Sequence, residues 1–274
     1  MELPGFVEKV LFVVVLYRQC FRETKAFESL RPLIEKNPGA VNVYVYDNSP
    51  EADHRLQFAT HYVHDPKNSG VGRAYNFAYV FAKEKSFRFM LLMDQDSFFS
   101  EEAFFSYSQA VATHATVQVF APVVKGEKKV YSPFRLRRGR GISLPKPKVG
   151  IHSLENIKLI NSGMLVTVDA FEKAGGYDER FPLDFSDIVF CDRLAACNTD
   201  VCILDTIIHH AHSSATTSAD PKKRFETYLR ALRMYKHCYK KDVSFWLGGF
   251  PTAARLSTQY RDRWFIEKFL DLRI

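Results

Sequence analysis

Apolar runs and helical hydrophobic periods alternate along the first two hundred residues. Val10–Leu16 is a continuous apolar run rich in β-branched residues, which predicts a parallel strand buried on both faces. Residues 22–36 follow with apolar positions at helical spacing. The further predicted strands are Val41–Tyr46, Phe87–Met93, Val117–Ala121, Met164–Val168 and Val201–Leu204, and the further predicted helices are Tyr75–Lys85, one capped by Ser100, a short one capped by Asp169, and Asp187–Cys197. This alternation predicts an α/β protein with a mostly parallel sheet and helices on both faces.

The alternation is interrupted once and then ends. Residues 125–156 contain Pro and Gly residues and a basic cluster, which predicts a long functional insertion without regular structure. Beyond Ser213, Asp220 followed by Pro221 predicts a helix start, and aromatic residues mix with Arg and Lys up to the last residue. We therefore expect residues 1–213 to form the α/β domain, with 125–156 as its insertion, and residues 214–274 to form a mainly helical C-terminal extension.

Charge is concentrated in that insertion. The chain has 274 residues and a net charge of +7, but Lys125–Lys148 alone holds nine basic residues and one acid, so the remainder is nearly neutral. This concentration predicts an anionic partner at that segment. Hydrophobic residues make up 46% and charged residues 25%, which excludes a disordered or fibrous chain. No apolar run approaches 18 residues, and the five cysteines contain no CxxC pair, so we expect a cytosolic protein with reduced thiols.

Polar residues follow the predicted strands, where parallel sheets bind ligands. Asp94-Gln95-Asp96-Ser97 comes directly after an apolar strand. One of its two carboxylates can bind sugar hydroxyls and the other a hard divalent cation that holds a diphosphate, although Asp-x-Asp also caps helices. Asp47 can accept hydrogen bonds from a base or ribose, or it can form a turn with Asn48-Ser49-Pro50.

The ordered motifs resemble glycosyltransferase family 2. They are Val14-Val15-Leu16-Tyr17, Asp47-Asn48-Ser49, Asn68-Ser69-Gly70-Val71-Gly72, Leu92-Met93-Asp94-Gln95-Asp96-Ser97, Asn161-Ser162-Gly163, and Gly175-Gly176-Tyr177-Asp178-Glu179 through Asp187. They are most similar to the bacterial rhamnosyltransferase-like branch, and the resemblance covers about residues 8–213. It implies a GT-A (nucleotide-diphospho-sugar transferase) fold, a nucleotide-diphospho-sugar donor linked to UDP, dTDP or GDP, and inversion at the anomeric carbon.

The resemblance also implies roles for individual residues. Asp187 matches the general base, with Asp184 as the rival carboxylate three residues earlier. Asp96 would coordinate Mg²⁺ or Mn²⁺, and His210 or His212 would contact that metal or the diphosphate. The remaining substrate-binding candidates are Tyr17 and Asp47 at the base, Asp94 at the ribose or donor sugar, Gly163 under the sugar, Asn68 and Gly72 before the next helix, and Arg193, which either reaches a phosphate or is paired.

Three functions fit parts of the sequence. The processive members of the family carry Gln-x-x-Arg-Trp, but Arg263-Trp264 lacks the Gln, so transfer of a single sugar is expected. A sugar-phosphate nucleotidyltransferase shares the architecture, yet Tyr17-Arg18-Gln19 lacks the glycines of its first loop. A non-enzymatic nucleic-acid-binding protein would explain the basic segment but not the carboxylates at the strand ends. We favour an inverting glycosyltransferase of bacterial surface polysaccharide or lipopolysaccharide synthesis, with no nucleic-acid partner.

The acceptor would be a glycan or a lipid-linked sugar, and the basic segment suggests how the protein binds it. Arg135, Arg137, Arg138 and Arg140 are expected to capture an anionic acceptor or lipid headgroups at the inner membrane face. The aromatic tail could lie at the membrane interface, with Trp246, Phe250, Trp264, Phe265 and Phe269 as its apolar members. The alternative is a solvated loop and a tail that packs as a helical or homodimer-forming subdomain.

Overall fold

The computed structural model describes residues 3–55, 58–127, 129–210, 220–239 and 243–271. Its strands are β1 (Val10–Leu16), β2 (Asn42–Asp47), β3 (His61–His64), β4 (Phe89–Asp94), β5 (Ser97–Phe98), β6 (Val119–Lys125), β7 (Val130–Ser132), β8 (Phe134–Arg137), β9 (Arg140–Ser143), β10 (Gly150–Ser153), β11 (Leu165–Thr167) and β12 (Asp200–His210). Its α-helices are α1 (Leu3–Val7), α2 (Lys25–Lys36), α3 (Val71–Glu84), α4 (Glu101–Thr113), α5 (Val168–Lys173), α6 (Ser186–Ala196), α7 (Pro221–Cys238), α8 (Val243–Leu247), α9 (Phe250–Tyr260) and α10 (Trp264–Asp271).

The main sheet has the order β10-β12-β6-β11-β4-β1-β2-β3. Strands β1, β2, β3 and β4 are parallel to one another, and β12 is parallel to β6. The short strand β11 lies antiparallel between β4 and β6, so β6 and β12 run in the same direction as β4. The carboxyl ends of β1, β2, β4, β6 and β12 therefore meet at one edge of the sheet.

The core fills both faces of this sheet because successive side chains of a strand point to opposite sides. Along β1, Val10, Phe12 and Val14 join the cluster that includes residues of α2 and α4. The alternate residues of β1, Leu11, Val13 and Val15, join a second cluster with residues of α3, α5 and α6. All of these side chains are buried, which confirms the predicted mostly parallel sheet with helices on both faces.

Side-chain caps begin several helices where the sequence predicts them. The Ser100 side chain accepts a hydrogen bond from Ala103 N–H at the start of α4, and Asp220 caps α7. The predicted cap of α5 by Asp169 is wrong. Thr167 caps that helix by accepting from Ala170 N–H, because the helix begins at Val168 and Asp169 already lies in its first turn.

The segment 125–156 is more regular than the sequence predicts. Strand β7 pairs with β6, β10 pairs with β12, and β8 and β9 form a two-stranded hairpin. These strands have only three or four residues each and expose much of their length, so they carry no long apolar run that periodicity could detect. A prediction of structureless insertion was therefore wrong for these strands.

The chain divides into two compact units. Unit 1 consists of Met1–Phe134 and Ser143–His212, and unit 2 consists of Arg135–Ile142 and Ser213–Ile274. The predicted division after residue 213 falls in 211–219, outside the described residues. Unit 2 also includes Arg135–Ile142 of the β8–β9 hairpin, which lies within the predicted insertion. The sequence does not indicate this grouping, because the hairpin is far along the chain from the rest of unit 2.

Unit 2 has an aromatic core of its own. Trp246 stacks on Phe269 at 4.9 Å between ring centroids, and Phe225 meets Phe265 at 5.4 Å. Trp246, Phe265 and Phe269 are buried. The expectation that these three lie at a membrane interface was therefore wrong, because they pack against one another and against α7, whereas Phe250 stays largely exposed. No helix among the described residues combines the length and apolarity needed to span a bilayer.

Candidate active site

The edge formed by the strand ends holds a compact group of three ionisable side chains. Asp94 is the last residue of β4, Asp96 follows two positions later, and His210 ends β12. One ligand atom of each lies within 4.8 Å of the others, and His210 Nδ1 is 3.4 Å from Asp96 Oδ1. The structure thus brings together Asp94, Asp96 and His210, three of the predicted site residues. His212 lies outside the described residues.

Backbone pairing explains how a histidine far along the chain reaches the two aspartates. Strand β5, which follows Asp96 directly, pairs antiparallel with the end of β12, so Ser97 faces His210. The Ser97 hydroxyl lies 2.7 Å from His210 Nδ1 and accepts a hydrogen bond from the Ser162 hydroxyl, also at 2.7 Å. This buried serine pair fixes the imidazole beside the carboxylates. The sequence motifs contain both serines, but local spacing does not reveal that they touch.

The middle residue of Asp94-Gln95-Asp96 ties the group to the end of β1. The Gln95 side-chain oxygen accepts a hydrogen bond from Tyr17 N–H at 2.7 Å, and its amide nitrogen donates to the Tyr17 carbonyl at 3.3 Å. The Gln95 backbone carbonyl accepts from the first N–H groups of α2. Gln95 is thus a positioning residue that sequence reasoning missed, and it accounts for the placement of Tyr17 next to the aspartates.

Asp187 lies in the first turn of α6 and its environment favours the neutral carboxyl. Burial is the main cause that raises its pKa to about 7, and the nearby charges of Asp184 and Asp94 raise it further, whereas hydrogen bonds from the backbone N–H groups of Ile188 and of Asp187 itself lower it. Burial likewise raises the pKa of Asp94 to about 6, with Asp96 raising it and His210 lowering it. The influence of Asp94 on Asp187 indicates that the helix start and the strand end belong to one site.

Two buried tyrosines connect these carboxyl groups. The Tyr75 hydroxyl on α3 lies 3.5 Å from Asp94 Oδ1, and its ring is 5.1 Å from the Tyr177 ring. Burial raises the pKa of both phenols, and the charges of Asp94 and Asp187 reach both of them. The Tyr177 ring in turn stacks on Phe190 of α6 at 4.2 Å. This aromatic column fixes α3 and α6 around the site, and the sequence analysis did not single it out.

A cavity of about 480 Å³ opens at the ends of β1 and β2. Arg18, Asp47, Ser49, Asp53 and Arg55 are among its lining residues. Asp47 is buried, and its carboxylate accepts hydrogen bonds from Ser49 N–H at 2.9 Å and from the Tyr62 hydroxyl at 2.8 Å. In this structure Asp47 therefore organises the wall of the cavity, as the turn-forming alternative predicts, and its binding of a base or ribose stays a prediction.

Three of four further predicted substrate-binding residues, Gly163, Gly72 and Arg193, have clear packing or pairing roles, and Asn68 does not. Gly163 (φ +85°) would place a Cβ 2.7 Å from Pro122, and its carbonyl accepts from the buried Tyr107 hydroxyl. A Cβ on Gly72 would lie 3.2 Å from Tyr177, so Gly72 allows α3 to approach that ring. Asn68 is exposed in a left-handed conformation (φ +50°) just before α3. The fourth, Arg193, is paired, which was one of its two predicted alternatives.

The Arg193 guanidinium holds the loop that precedes α6. It donates to the carbonyls of Gly175 and Gly176 at 3.1 and 2.8 Å and lies 3.3 Å from Asp178 Oδ2. Asp178 also accepts from Arg180, and this bond is the main cause that lowers the pKa of Asp178. Asp184, the rival base, lies between this loop and Asp187 and is partly exposed.

Two solved structures superpose on most of this chain. GalNAc-T7 with UDP, GalNAc and Mn²⁺ superposes with a TM-score of 0.59 at 10% sequence identity, covering 95% of this chain and 54% of that one. The mannosyltransferase PcManGT from Pyrobaculum calidifontis, in complex with GDP-Man and Mn²⁺, superposes with a TM-score of 0.56 at 15% identity, covering 85% of this chain and 66% of that one. This chain has the GT-A fold. The chain spans about half of the length of the GalNAc-T7 chain and about two thirds of the length of the PcManGT chain.

The GT-A fold confirms the architecture that the motifs predict. No protein-family model matches the sequence, and no curated protein matches it either. Assignment to glycosyltransferase family 2, and to its rhamnosyltransferase-like branch, stays a prediction.

Proposed function

We propose that the chain is an inverting glycosyltransferase that moves one sugar from a nucleotide-diphospho-sugar to an acceptor hydroxyl. The observation that carries the proposal is the position of Asp187 near the Asp94–Asp96–His210 group. Its carboxyl has a pKa of about 7, and the negative charge of Asp94 is one of the causes that raise this pKa. A carboxyl with that pKa is ionised often enough at neutral pH to accept a proton, yet basic enough to take it from a hydroxyl. The GT-A fold supports the same reaction class.

The side chains of the strand-end group fit a Mg²⁺ or Mn²⁺ ion. Two carboxylates and one imidazole are an oxygen-rich donor set, which suits these cations better than softer ones. Both similar enzymes were solved with Mn²⁺. When bound, such an ion neutralises the charge that develops on a departing diphosphate. In our proposal Asp96 and His210 hold the ion, and Asp94 is shared between the ion and the ribose or donor sugar.

The chain's own residues would perform the remaining work of the displacement. The Asp187 carboxylate accepts the proton of the acceptor hydroxyl while that oxygen forms its bond to the anomeric carbon. The bond from the anomeric carbon to the diphosphate oxygen breaks, and its electron pair leaves with the diphosphate. Since attack and departure take place on opposite faces, the anomeric configuration is inverted. Tyr75 and Tyr177 keep α3 and α6 in place and exclude water around the base.

The nucleotide would occupy the cavity at the ends of β1 and β2. Asp47 and Arg18 line it, and the Arg18 guanidinium lies 5.1 Å from the centre of the Tyr17 ring, whereas Arg55 on its wall is paired with Glu23 and Asp53. The transferred group would be a hexosyl or deoxyhexosyl residue, with rhamnosyl as the case that the motifs favour. The acceptor would be a glycan or lipid-linked sugar of bacterial surface polysaccharide or lipopolysaccharide synthesis.

The proposal is tested by measuring donor hydrolysis and transfer with Mn²⁺ across UDP-, dTDP- and GDP-linked sugars. We expect one nucleotide series to be hydrolysed by the parent protein and not by the Asp187→Asn variant. Proton NMR of the product should show the anomeric configuration opposite to that of the donor. A product that retains the donor configuration would contradict the inverting mechanism, and pyrophosphate exchange without sugar transfer would favour a nucleotidyltransferase.

A further inference from the structure

The β8–β9 hairpin of unit 2 gathers arginines on one face. Its turn consists of Arg138 and Gly139, both at positive φ (+47° and +70°), which is the two-residue turn that matches the twist of paired strands. In such a hairpin Arg137 stands directly opposite Arg140, and Arg135 stands opposite Ile142. Residues two apart on a strand share a face, so Arg135, Arg137 and Arg140 project from the same side.

This arrangement is electrostatically unfavourable without a partner. Like charges directly opposite each other destabilise a pair of strands. Arg135, Arg137, Arg138 and Arg140 are all exposed or half-buried at the surface, and within the part of the chain that the structure describes none of them forms an ion pair with an acidic residue. An anionic surface that contacts this face would relieve the repulsion.

The hairpin is held rigidly against the helices of unit 2. A Cβ on Gly248 would lie 1.4 Å from the Arg138 carbonyl oxygen, and a Cβ on Gly139 would lie 2.5 Å from the Phe245 carbonyl oxygen. Only glycines permit this close backbone approach between the turn and the junction of α8 and α9. The turn that carries Arg138 is therefore packed against the junction of α8 and α9.

Exposed apolar side chains lie at the same end of unit 2. Leu247 at the end of α8 is 56% exposed, Phe250 at the start of α9 is 41% exposed, and Leu270 on α10 is 66% exposed. They surround one buried stack, because Phe269 contacts both Trp246 and Phe250 and directly precedes Leu270. Leu247 and Phe250 also flank Gly248, where the Arg138 backbone packs. The backbone of the hairpin turn thus lies next to the segment that carries Leu247 and Phe250.

Unit 2 as a whole is positively charged, as its arginine hairpin is. Unit 2 contains 17 basic and 6 acidic residues, a net charge of +11, whereas unit 1 contains 21 basic and 25 acidic residues, a net charge of −4. We propose that unit 2 docks the chain on an anionic lipid bilayer, with Arg135, Arg137 and Arg140 at the lipid phosphates and Leu247, Phe250 and Leu270 in the interfacial layer. The inference does not depend on the proposed glycosyl transfer.

A bilayer fits both halves of this surface. Basic side chains near an anionic leaflet each contribute about 1 kcal/mol, and apolar side chains at the same level leave water for the acyl boundary. A nucleic acid would satisfy the arginines through its phosphates but would leave Leu247 and Leu270 in water. We therefore expect binding that needs the charge and the apolar side chains together.

The experiment is co-sedimentation of the full chain with two kinds of vesicle. One is pure phosphatidylcholine and the other is phosphatidylcholine mixed with phosphatidylglycerol. We expect sedimentation with the mixed vesicles only, weakened by added salt because screening shortens the reach of the charges. Equal binding to both vesicles, or binding that is indifferent to salt, would overturn the proposal without any variant.

Two double variants test the surface itself. R137S/R140S should lower partitioning into the anionic vesicles by about 30-fold, the equivalent of about 1 kcal/mol per arginine. The control K85S/K173S removes the same charge from exposed positions of unit 1 and should change partitioning by less than about twofold, because those lysines lie outside the proposed surface. Equal losses in the two variants would show that net charge alone matters, and the surface assignment would be wrong.

The apolar half and the folding of the hairpin need separate readouts. L247S/L270S should lower partitioning by about tenfold, since both side chains are exposed in the free protein and gain burial only at the membrane. If this variant instead converts a dimer to a monomer in the absence of lipid, the patch is a dimer interface. If a DNA duplex displaces the parent from vesicles and L247S/L270S changes nothing, the ligand is a nucleic acid. R137K/R140K keeps the charge and should bind as the parent does, even if the serine variant folds poorly.

Discussion

Our proposal assigns the carboxylate of Asp187 as the proton acceptor for the incoming hydroxyl. It lies in the first turn of α6, is half-buried, and is influenced by the charge of Asp94. We predict that Asp187→Asn keeps donor affinity within a few-fold and lowers the rate of sugar transfer by about 10²–10⁴, the usual effect of removing a general base. Donor affinity would be measured by calorimetry and transfer by product formation.

Asp184→Asn is the matched control for that change. It removes a carboxylate three residues away in the same loop, and it should lower the pKa of Asp187 because one nearby negative charge disappears. We expect at most a modest change in transfer. If Asp184→Asn loses transfer and Asp187→Asn does not, the base has been assigned to the wrong carboxylate.

The ionisation of Asp187 also sets a pH dependence. Its raised pKa of about 7 means that the base is mostly protonated, and hence inactive, in slightly acidic solution. We predict that kcat/KM for the acceptor rises with pH through about 7 and then levels off, because this ratio reports the free enzyme. The profile of Asp187→Asn should lack that rise, and a rise that persists in this variant would assign the titration to another group.

Asp96 carries the cation-dependent part of donor binding in our proposal. Asp96→Ala removes one carboxylate from the Asp94–Asp96–His210 group, so the remaining donor set is too poor in oxygen to hold the ion firmly. We predict that Mn²⁺-dependent donor affinity is lost, as measured by calorimetry with and without EDTA. Asp169→Ala removes an equal charge from an exposed position and should leave donor affinity unchanged, whereas unchanged affinity in Asp96→Ala would refute the metal assignment.

Sequence motifs located most of this site but not the contacts within it. Asp94, Asp96 and Asp187 stand at a strand end and a helix start, which periodicity identifies, so their convergence at one sheet edge was predictable. Tyr75 and Gln95 could not be assigned in that way. Tyr75 is one aromatic residue of an ordinary amphipathic helix, and the role of Gln95 depends on hydrogen bonds to a residue 78 positions away.

At the scale of elements, α6 is positioned by the loop that precedes it. Arg193 on this helix bonds to the carbonyls of Gly175 and Gly176 and pairs with the buried Asp178. We predict that Arg193→Ala lowers the free energy of unfolding by about 1–3 kcal/mol, since two carbonyls and a carboxylate lose a charged donor. Denaturant unfolding would measure this loss.

A second arginine provides the comparison for that prediction. Arg180 also pairs with Asp178, but its side chain is 62% exposed, so Arg180→Ala should cost well below about 1 kcal/mol. If Arg193 instead binds a donor phosphate, Arg193→Ala would weaken donor affinity and leave stability unchanged. The two variants therefore distinguish a positioning role from the substrate-binding role that the sequence left open.

Element prediction succeeded where a single strand or helix carries its own signal. Val10–Leu16 is an isolated apolar run bounded by polar residues, and the structure places β1 on those residues. Strand β12 is longer than predicted because Asp205 and Thr206 interrupt its apolar pattern at a register shift against β6. Strand β7 pairs with the preceding β6 across a short turn, β8 pairs with β9 across a two-residue turn, and β10 pairs with the distant β12. Each of these strands has only three or four residues, so no local period marks them.

At the scale of the whole molecule, the buried carboxyls make folding stability depend on pH. The folded state holds Asp187 with a pKa of about 7, above that of an unfolded aspartate near about 4, so folding favours the protonated form. The stabilisation is therefore complete below about pH 4 and is lost as the pH rises through about 7. The amide introduced by Asp187→Asn is neutral at every pH, so the variant does not suffer this loss.

We therefore predict that Asp187→Asn is more stable than the parent at about pH 8, by up to about 4 kcal/mol, and that the difference shrinks towards zero near about pH 4. Asp94 remains in both proteins, with its pKa raised to about 6 by burial, so the parent and the variant share the rest of the pH dependence. Urea unfolding in the presence of EDTA measures the difference without a bound cation. A gap that is constant across this range would mean that Asp187 is solvated in the free protein, and the raised pKa on which its role as a base depends would be wrong.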